Sequence, residues 1–199
     1  MNYCQEFFAR ETSLNPPAIF QKLKKNTATP FSAFLKLNHI YAMCASPERF
    51  IKKSRNKLIS QPIKGTRRRG EDPEQDIILI KELINSKKDV SENIMITDLV
   101  RNDLSITATK GSVKVTELCG IYTFERVHQM ITTITSEVDE KIHYSPIIKS
   151  VFPMGSMTGA PKLKTMELIE EFEGFKRGIF SGAIGYITPK GDFDFNVVI

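Results

Sequence analysis

The apolar and polar positions follow two periods along the chain, and the helical period appears in five segments. In each segment, apolar residues recur at helical spacing behind a polar or proline-containing start. The segments are NPPAIFQKLKK, EDPEQDIILIKELINS, DVSENIMITDLVRNDL, SPIIKSVF and APKLKTMELIEEFEG. Asn15 and Asp72 are expected to cap the first two helices. Asp89 and Glu92 have capping-box spacing in the third, and Gly174 is expected to close the last.

Alternating apolar and polar residues predict strands in much of the remaining chain. These stretches are FSAFLKLNHIYAMCAS, ERFIKKSRNKLISQ, SVKVTELCGIYTFERVHQMITTITSEV and GIFSGAIGYITPKGDFDFNVVI. Turn-forming residues at 38, at 55–56 and at 189–192 predict hairpins or meanders. The expected fold class is α+β, with antiparallel sheet dominating.

Strand-like patterns also stand at both ends of the chain, in NYCQEFFA and in DFNVVI. An unpaired terminal strand would leave a free hydrogen-bonding edge, which natural domains usually cover. We therefore interpret residues 1–199 as one globular unit that is part of a larger domain, or an unusually short form of one.

The composition excludes few classes of function. The formal charge of +5 suits anionic small molecules, acidic partners or nucleic acid about equally well. Cys4, Cys44 and Cys119 lie far apart, so neither a disulfide framework nor a zinc site is indicated, and reduced thiols in the cytoplasm are expected. Since no segment has the pattern of a membrane span or a signal peptide, we predict no membrane attachment.

The stretch QPIKGTRRRG places Lys64 three residues before the first of three consecutive arginines. Four cations in six positions repel one another unless an anion lies among them or one gives up its proton. Crowding and burial would then favour a neutral, nucleophilic amine at Lys64. The arginines alone are also consistent with a solvated basic turn or with a nucleic-acid binder.

A second stretch, FPMGSMTGAPKLK, has the glycines and the proline of a tight loop before a helix. Amides at the start of that helix would point into the loop and form a cradle for an anion. No Gly-Lys-Ser/Thr follows Gly159, so the loop is not a nucleotide P-loop, and a carboxylate is as good a guest as a phosphate. A plain tight loop is the alternative.

Seven motifs together resemble the chorismate-utilising enzymes, and they occur in the order that this family has. They are SPERF at 46, PIKGTRRRG at 62, ENIMITDLVRNDL at 92, ERVHQMITTIT at 125, GSMTGAPK at 155, GAIGY at 182 and DFN at 194. The resemblance implies a chorismate-binding, anthranilate synthase component I-like fold, rich in antiparallel sheet and incomplete in this chain. Lysine at position 64 is typical of the branch that aminates chorismate at C4, whereas anthranilate synthases have alanine there.

For Lys64, the resemblance implies addition to C2 of the chorismate ring as the C4 hydroxyl leaves. Ammonia from a glutamine amidotransferase subunit would then enter at C4 and expel the lysine. The product would be 4-amino-4-deoxychorismate, on the route to para-aminobenzoate and folate. Glu48 would assist departure of the hydroxyl as a general acid, a role that favours a pKa raised by an enclosed site.

Glu92 matches a family ligand of Mg²⁺, which joins the metal to the ring carboxylate of chorismate. Its spacing from Asp89 also fits a helix cap that needs no metal. His128 matches a histidine beside the departing hydroxyl, although a lone histidine in a strand is more often a satisfied core or surface residue.

Five further residues match substrate-binding positions of the family. The Thr158 hydroxyl and the Gly159 amide would hold a carboxylate, and Tyr186 would contact the enolpyruvyl side. The full set is Thr66, Ser156, Thr158, Gly159 and Tyr186.

The sequence departs from the family pattern mainly by absence. An arginine, a glycine-rich turn and a glutamate-bearing helix follow DFNVVI in the family, and a further portion precedes NYCQEFFA. We therefore expect weak activity at most from the 199 residues alone. The alternatives are anthranilate synthase-like activity and a non-catalytic fragment that binds only a ligand or a partner.

Overall fold

The computed structural model describes residues 1–199, and the first regular element begins at Pro16. In chain order the elements are α1 (Pro16–Thr27), β1 (Phe31–Leu37), β2 (Ile40–Ser46), β3 (Arg49–Ser54), β4 (Lys57–Gln61), β5 (Ile63–Arg68), α2 (Pro73–Asn85), α3 (Lys87–Ser105), β6 (Lys114–Thr123), β7 (Val127–Glu137), α4 (Tyr144–Val151), α5 (Gly155–Thr158), α6 (Lys162–Phe172), β8 (Gly185–Ile187) and β9 (Phe193–Asn196).

All strand pairings are antiparallel, as the sequence predicts. β1 and β2 form a separate two-stranded sheet. The larger sheet has the order β5-β7-β4-β3-β9-β8, and β6 pairs with β7. β7 is the longest strand and contacts three others, so it connects β5 to the rest of the sheet. The predicted α+β class is confirmed.

Local signals placed most turns and helix starts correctly. Asn38 and Arg55 adopt left-handed backbone conformations in the two predicted hairpin turns, with φ of 53° and 55°. Asn15 caps α1 by accepting a hydrogen bond from the Ala18 amide, and Asp72 caps α2 in the same way. These contacts satisfy amides that have no partner inside the helix.

The prediction that Asp89 caps the start of α3 is wrong. The Ser86 hydroxyl accepts a hydrogen bond from the Asp89 amide at 3.3 Å, so Ser86 caps the helix and Asp89 lies inside its first turn. Glu92 lies in the second turn and takes no part in capping. The capping-box alternative for Glu92 is therefore excluded.

Three other local predictions fail. The N-terminal stretch NYCQEFFA is not a strand, because no neighbouring strand pairs with it. Arg67 and Arg68, for which a basic turn was one alternative, lie on β5, in a stretch where no strand was predicted. Gly174 does not close α6: the helix ends at Phe172, and Glu173 caps it in an extended conformation. Gly174 follows this cap directly but does not adopt the left-handed conformation of a closing glycine.

The main core lies between the larger sheet and the helices α3 and α4. Its buried members are Phe50, Ile51, Leu58, Ile96, Val100, Leu104, Ile134, Val138, Ile147, Val151, Met154, Phe193 and Val197. Met154 extends this core into the loop that carries α5, so the loop is anchored by apolar packing. No helix combines the length and the apolar character that a membrane crossing requires.

Candidate active site

Lys64 lies on β5, where a bulge interrupts the pairing with β7. The register shifts between Ile63 and Thr66, and Gly65 has a φ of 93°, a conformation that side chains rarely adopt. A Cβ at Gly65 would approach the Asp89 Cβ within 3.0 Å, so this position also needs glycine because α3 lies close by. The bulge fixes where the lysine side chain leaves the strand.

The amine of Lys64 is held by two oxygen atoms. Nζ donates to the backbone carbonyl of Ser156 at 3.1 Å, and Oδ1 of Asn2 lies 3.5 Å from Nζ. The amide nitrogen of Asn2 donates to the same Ser156 carbonyl. Asn2 was missed by sequence reasoning, because nothing in a presumed edge strand indicates that its side chain reaches a residue 62 positions away.

The neighbouring arginines do not crowd Lys64, so that part of the prediction is wrong. Nη2 of Arg67 lies 2.9 Å from the Asp89 carboxylate, and Nε of Arg69 lies 2.8 Å from the Asp76 carboxylate. Each of these cations therefore has its own anion. These contacts also weaken the basic-turn and nucleic-acid interpretations, because two of the three guanidinium groups are already paired within the chain.

Glu48 lies in the connection between β2 and β3 and is only 6% exposed. Its backbone amide donates to the Ser46 hydroxyl at 3.1 Å, and its carbonyl accepts a bond from the Val197 amide at 3.1 Å. Burial raises the pKa of its carboxyl to about 7, against the opposing effects of the Ser156 hydroxyl and the Lys64 charge. A raised pKa is what a general-acid role at Glu48 favours.

Ser156 is the residue at which the lysine and the glutamate meet. Its carbonyl accepts the hydrogen bond from Lys64, while its side chain lowers the pKa of the Glu48 carboxyl, which lines the same small cavity. The preceding residue, Gly155, packs so closely on α3 that a Cβ would lie 2.5 Å from Leu99. The fold thus brings together three of the predicted site residues, Glu48, Lys64 and Ser156.

A small cavity of about 20 Å³ borders this cluster, which is room for about one water molecule. Polar groups of Glu48, Ser60, Asp103 and Ser156 contribute to its lining. Asp103 pairs with Lys162 at 2.5 Å and joins α3 to the start of α6. The glutamate is therefore enclosed rather than open to bulk solvent on this side.

The loop after Ser156 offers fewer hydrogen-bond donors than predicted. The Thr158 hydroxyl donates to the Met154 carbonyl at 3.0 Å, and its amide bonds the same carbonyl at 3.1 Å. Both donors are used within α5, so the predicted carboxylate contact through the Thr158 hydroxyl is not available in this arrangement. The Gly159 amide forms no hydrogen bond within the chain, and no side chain caps α6. The predicted anion cradle is thus reduced to backbone amides.

His128 lies apart from this cluster and is fully buried. Its Nε2 lies 3.0 Å from the Asp76 carboxylate, and its Nδ1 lies 2.9 Å from the Thr123 hydroxyl. With both ring nitrogens engaged, the side chain has none left for a substrate hydroxyl. The arrangement is that of a satisfied core histidine, which was the alternative to the catalytic assignment.

Glu92 projects from α3 with 43% of its side chain exposed, and Nζ of Lys88 lies 3.9 Å from it. No group of three or more acidic, histidine or cysteine side chains that could hold a metal ion is present in the structure. Asn93, the residue after Glu92, donates to the Met130 carbonyl at 3.2 Å and lies 3.5 Å from the Lys64 carbonyl, so it connects α3 to β7 and to β5. One exposed carboxylate by itself is not a magnesium site.

Thr66 and Tyr186 are placed differently from each other. Thr66 lies on β5 opposite Gln129 of β7, two residues from Lys64. Tyr186 lies on β8 at the edge of the sheet, 63% exposed, and no contact joins it to the cluster. Gln129 is buried, and its Oε1 has no hydrogen-bond partner. Such a group needs a partner to offset its burial, and sequence reasoning passed over it in favour of His128.

The sequence matches the family described as chorismate binding enzyme over residues 1–199. It is 42% identical over 190 residues to an aminodeoxychorismate synthase of Streptomyces griseus, covering 95% of this chain and 26% of that protein. It is also 42% identical over 199 residues to aminodeoxychorismate synthase component 1 of Escherichia coli, covering all of this chain and 44% of that protein. The chain thus spans less than half the length of these relatives.

Solved structures show the same fold. Anthranilate synthase component I from Streptococcus pneumoniae superposes with a TM-score of 0.84 at 28% identity, over 95% of this chain and 41% of that one. The menaquinone-specific isochorismate synthase of Escherichia coli gives a TM-score of 0.80 at 17% identity, over 93% of this chain and 42% of that one. The predicted anthranilate synthase component I-like fold is confirmed.

Proposed function

The chain belongs to the family of chorismate binding enzymes, and we propose that it carries the lysine and the glutamate with which such an enzyme aminates chorismate to 4-amino-4-deoxychorismate. The curated relatives that carry this activity in their names support the proposal. So does the lysine of PIKGT, which distinguishes it from anthranilate synthase-like chemistry. We also propose that the protein works in the cytoplasm.

One observation carries this proposal: an amine and a buried acid converge on Ser156. Nζ of Lys64 lies 3.1 Å from the Ser156 carbonyl, and the Glu48 carboxyl, whose pKa is raised by burial and lowered in part by the Ser156 side chain and the Lys64 charge, lines the same small cavity as Ser156. A carboxyl with a pKa of about 7 is available in its protonated form near neutral pH and can donate that proton. A nucleophile and a general acid side by side are what a substitution with loss of hydroxide requires.

The proposed reaction has two steps that balance. In the first, the Lys64 nitrogen bonds to C2 of the ring, the two conjugated ring double bonds shift, and the C4–O bond breaks. The hydroxyl leaves as water with the proton of Glu48. In the second, ammonia bonds to C4, the two double bonds return, the Lys64 nitrogen is expelled as the free amine, and one proton of the added ammonia returns to Glu48. The sum is chorismate plus ammonia giving 4-amino-4-deoxychorismate plus water.

The proposed reaction also requires ammonia and Mg²⁺, which are not assigned to the cluster of Lys64, Glu48 and Ser156. We propose that ammonia comes from a glutamine amidotransferase subunit, as the designation component 1 of a relative suggests. Glu92 would supply one carboxylate to Mg²⁺, which when bound neutralises the negative charge of the substrate. No group of three or more metal-binding side chains is present, so no step is assigned to the metal.

The proposal is tested by incubating the chain with chorismate, ammonium and Mg²⁺ and separating the products by liquid chromatography and mass spectrometry. Formation of 4-amino-4-deoxychorismate supports it, and formation of anthranilate instead overturns the assignment within the family. Without ammonium, the first step should leave an adduct on Lys64 whose mass equals chorismate less one water.

Binding without turnover is the outcome that favours the non-catalytic alternative. Isothermal titration calorimetry with chorismate would detect it. If chorismate binds but neither product nor adduct forms, and the full-length relative from Escherichia coli gives both under the same conditions, then this chain is a ligand-binding member of the family without the amination activity.

A further inference from the structure

The first four residues, Met1–Cys4, lie against the loop at 156–159 although they form no helix or strand. The backbone amide of Asn2 donates to the Thr158 carbonyl at 2.8 Å, and the backbone amide of Cys4 donates to the Glu173 carboxylate at 2.9 Å. A Cβ at Gly159 would lie 3.0 Å from Met1, so glycine there permits this close approach. We call Met1–Cys4 the N-terminal segment.

A buried ion pair holds the backbone of the N-terminal segment in place. Nη2 of Arg177 donates to the Asn2 carbonyl at 2.8 Å, and Nη1 donates to the Met157 carbonyl at 2.9 Å. The same guanidinium pairs with Glu173, at 2.7 Å from Nε. The Arg177 and Glu173 side chains are only 13% and 2% exposed. Their charge-assisted bonds therefore fix the segment and the loop to one another.

This anchoring places the Asn2 side chain beside the amine of Lys64. Its Nδ2 donates to the Ser156 carbonyl, which is also the acceptor for Lys64, and its Oδ1 faces Nζ of Lys64 at 3.5 Å. The Lys64 amine is thus bounded by one oxygen from the loop and one from the N-terminal segment.

We infer that Asn2 is a positioning residue for Lys64, which holds the amine against the loop that also contacts Glu48. The consequence for catalysis rests on the proposed amination, but the positioning itself does not.

A primary amide is suited to this place because it donates and accepts at the same time. Its NH₂ group satisfies the Ser156 carbonyl, and its oxygen directs the amine without adding a negative charge. A carboxylate at this position would keep the acceptor for Lys64 but would lose the donor to Ser156. This difference separates positioning of the lysine from mere anchoring of the segment.

The test measures how fast Lys64 reacts with a small acylating reagent, the N-hydroxysuccinimide ester of acetic acid, in the chain without chorismate. Peptide mass spectrometry gives the initial rate at Lys64 and, as an internal reference, at the exposed Lys110. Asn2→Ala should raise the Lys64 rate by about tenfold relative to Lys110, because one of two oxygen contacts is lost. Asn2→Asp should leave the rate at or below that of the native chain, since its carboxylate still holds the amine.

Gln5→Ala is the matched control, because Gln5 is exposed in the same part of the chain and forms no hydrogen bond. A change of less than about twofold at Lys64 in Asn2→Ala, or an equal increase in Asn2→Ala and Asn2→Asp, would overturn the inference. Since no substrate is present, this result is independent of whether chorismate is aminated. Where amination is measurable, Asn2→Ala should lower kcat more than it raises KM.

Discussion

Nζ of Lys64 lies 3.1 Å from the backbone carbonyl of Ser156, so the strand that carries the amine and the loop before α6 meet at a direct hydrogen bond. Ser156 also lines a small cavity together with the buried Glu48, and its side chain lowers the pKa of the Glu48 carboxyl, against the larger effect of burial. A displacement of this loop would therefore change the surroundings of both reactive groups at once. The proposed chemistry would therefore depend on the position of this short loop as well as on the two side chains.

Replacing Lys64 should abolish the first chemical step. Lys64→Ala and Lys64→Arg should both lower formation of the chorismate adduct and of 4-amino-4-deoxychorismate by at least about a thousandfold, because neither side chain is a nucleophile. Lys110→Ala, which changes an exposed lysine, should leave both unchanged. Adduct mass and product chromatography measure the result, and product formation at the native rate in Lys64→Ala would contradict the assignment.

The buried carboxyl of Glu48 should make the protein less stable as the pH rises. Its pKa is about 7 in the folded chain and about 4.5 when unfolded, so the folded state binds more protons between these values. The free energy of unfolding should fall by on the order of 3 kcal/mol from pH 4.5 to pH 7. Glu48→Gln should remove this slope, whereas Glu82→Gln at an exposed helix position should keep it. Urea unfolding at several pH values measures the difference, and an unchanged slope in Glu48→Gln would refute this explanation.

Asp76 should stabilise the protein in the opposite pH range. Hydrogen bonds from Arg69, then from the Gly70 amide and His128, hold the pKa of its carboxyl well below the usual value of 3.8. Its contribution is therefore complete above that value and is lost as the pH falls through the folded pKa. Asp76→Asn should lower the urea midpoint at pH 7, and the difference from the native protein should shrink under acidic conditions.

The matched control for this experiment is Asp98→Asn, because the Asp98–Arg101 pair is exposed on both sides. Exposed ion pairs contribute little to stability, so this variant should stay close to the native protein at every pH. Equal effects of the two substitutions would show that the Asp76 carboxylate has no special role beneath His128.

The pair between Asp103 and Lys162 should contribute strongly to the position of the Ser156 loop. Nζ of Lys162 lies 2.5 Å from Oδ2 of Asp103, and the side chains of Asp103 and Lys162 are only 8% and 14% exposed. Asp103→Ala leaves the lysine without its partner and should reduce the free energy of unfolding by about 3 kcal/mol. Asp103→Leu combined with Lys162→Met should recover part of that loss. A double variant as unstable as Asp103→Ala would indicate that packing, rather than the unpaired charge, sets the cost.

We predict that Ser86, and not Glu92, stabilises the start of α3. Ser86→Ala should reduce the free energy of unfolding by about 1 kcal/mol, because the Asp89 amide loses its acceptor. Glu92→Ala should change it by less than about 0.5 kcal/mol, since its only ion pair is long and exposed. If Glu92→Ala were the more destabilising of the two, the carboxylate would be needed for the helix rather than available for a ligand.

Local signals in the sequence were sufficient for elements whose cause is local. The caps at Asn15 and Asp72 depend on side chains that bond amides three residues away, and the hairpin turns at Asn38 and Arg55 depend on backbone conformation within the turn. The prediction failed where a distant group took part. The Glu173 side chain at the end of α6 is held by Arg177 and by the Cys4 amide, and no pattern around Gly174 indicates these contacts.

The functional residues divide in the same way. Family motifs identified Lys64, Glu48 and Ser156, because each lies in a stretch long enough to be recognised by its residues alone. They could not determine that His128 is enclosed by Asp76 and Thr123, since this depends on how α2 and β6 pack on β7.

The sequence by itself determined the fold class and the family, and it indicated the two groups proposed to react, because periodicity and motif are properties of neighbouring residues. Only the tertiary structure decided what surrounds those groups. The burial that raises the pKa of Glu48, the anions that pair with the arginines after Lys64, and the approach of Asn2 to the amine all join residues far apart in the chain. Electrostatic environment depends on distance in space and on exclusion of water, and the packing of the whole chain sets both.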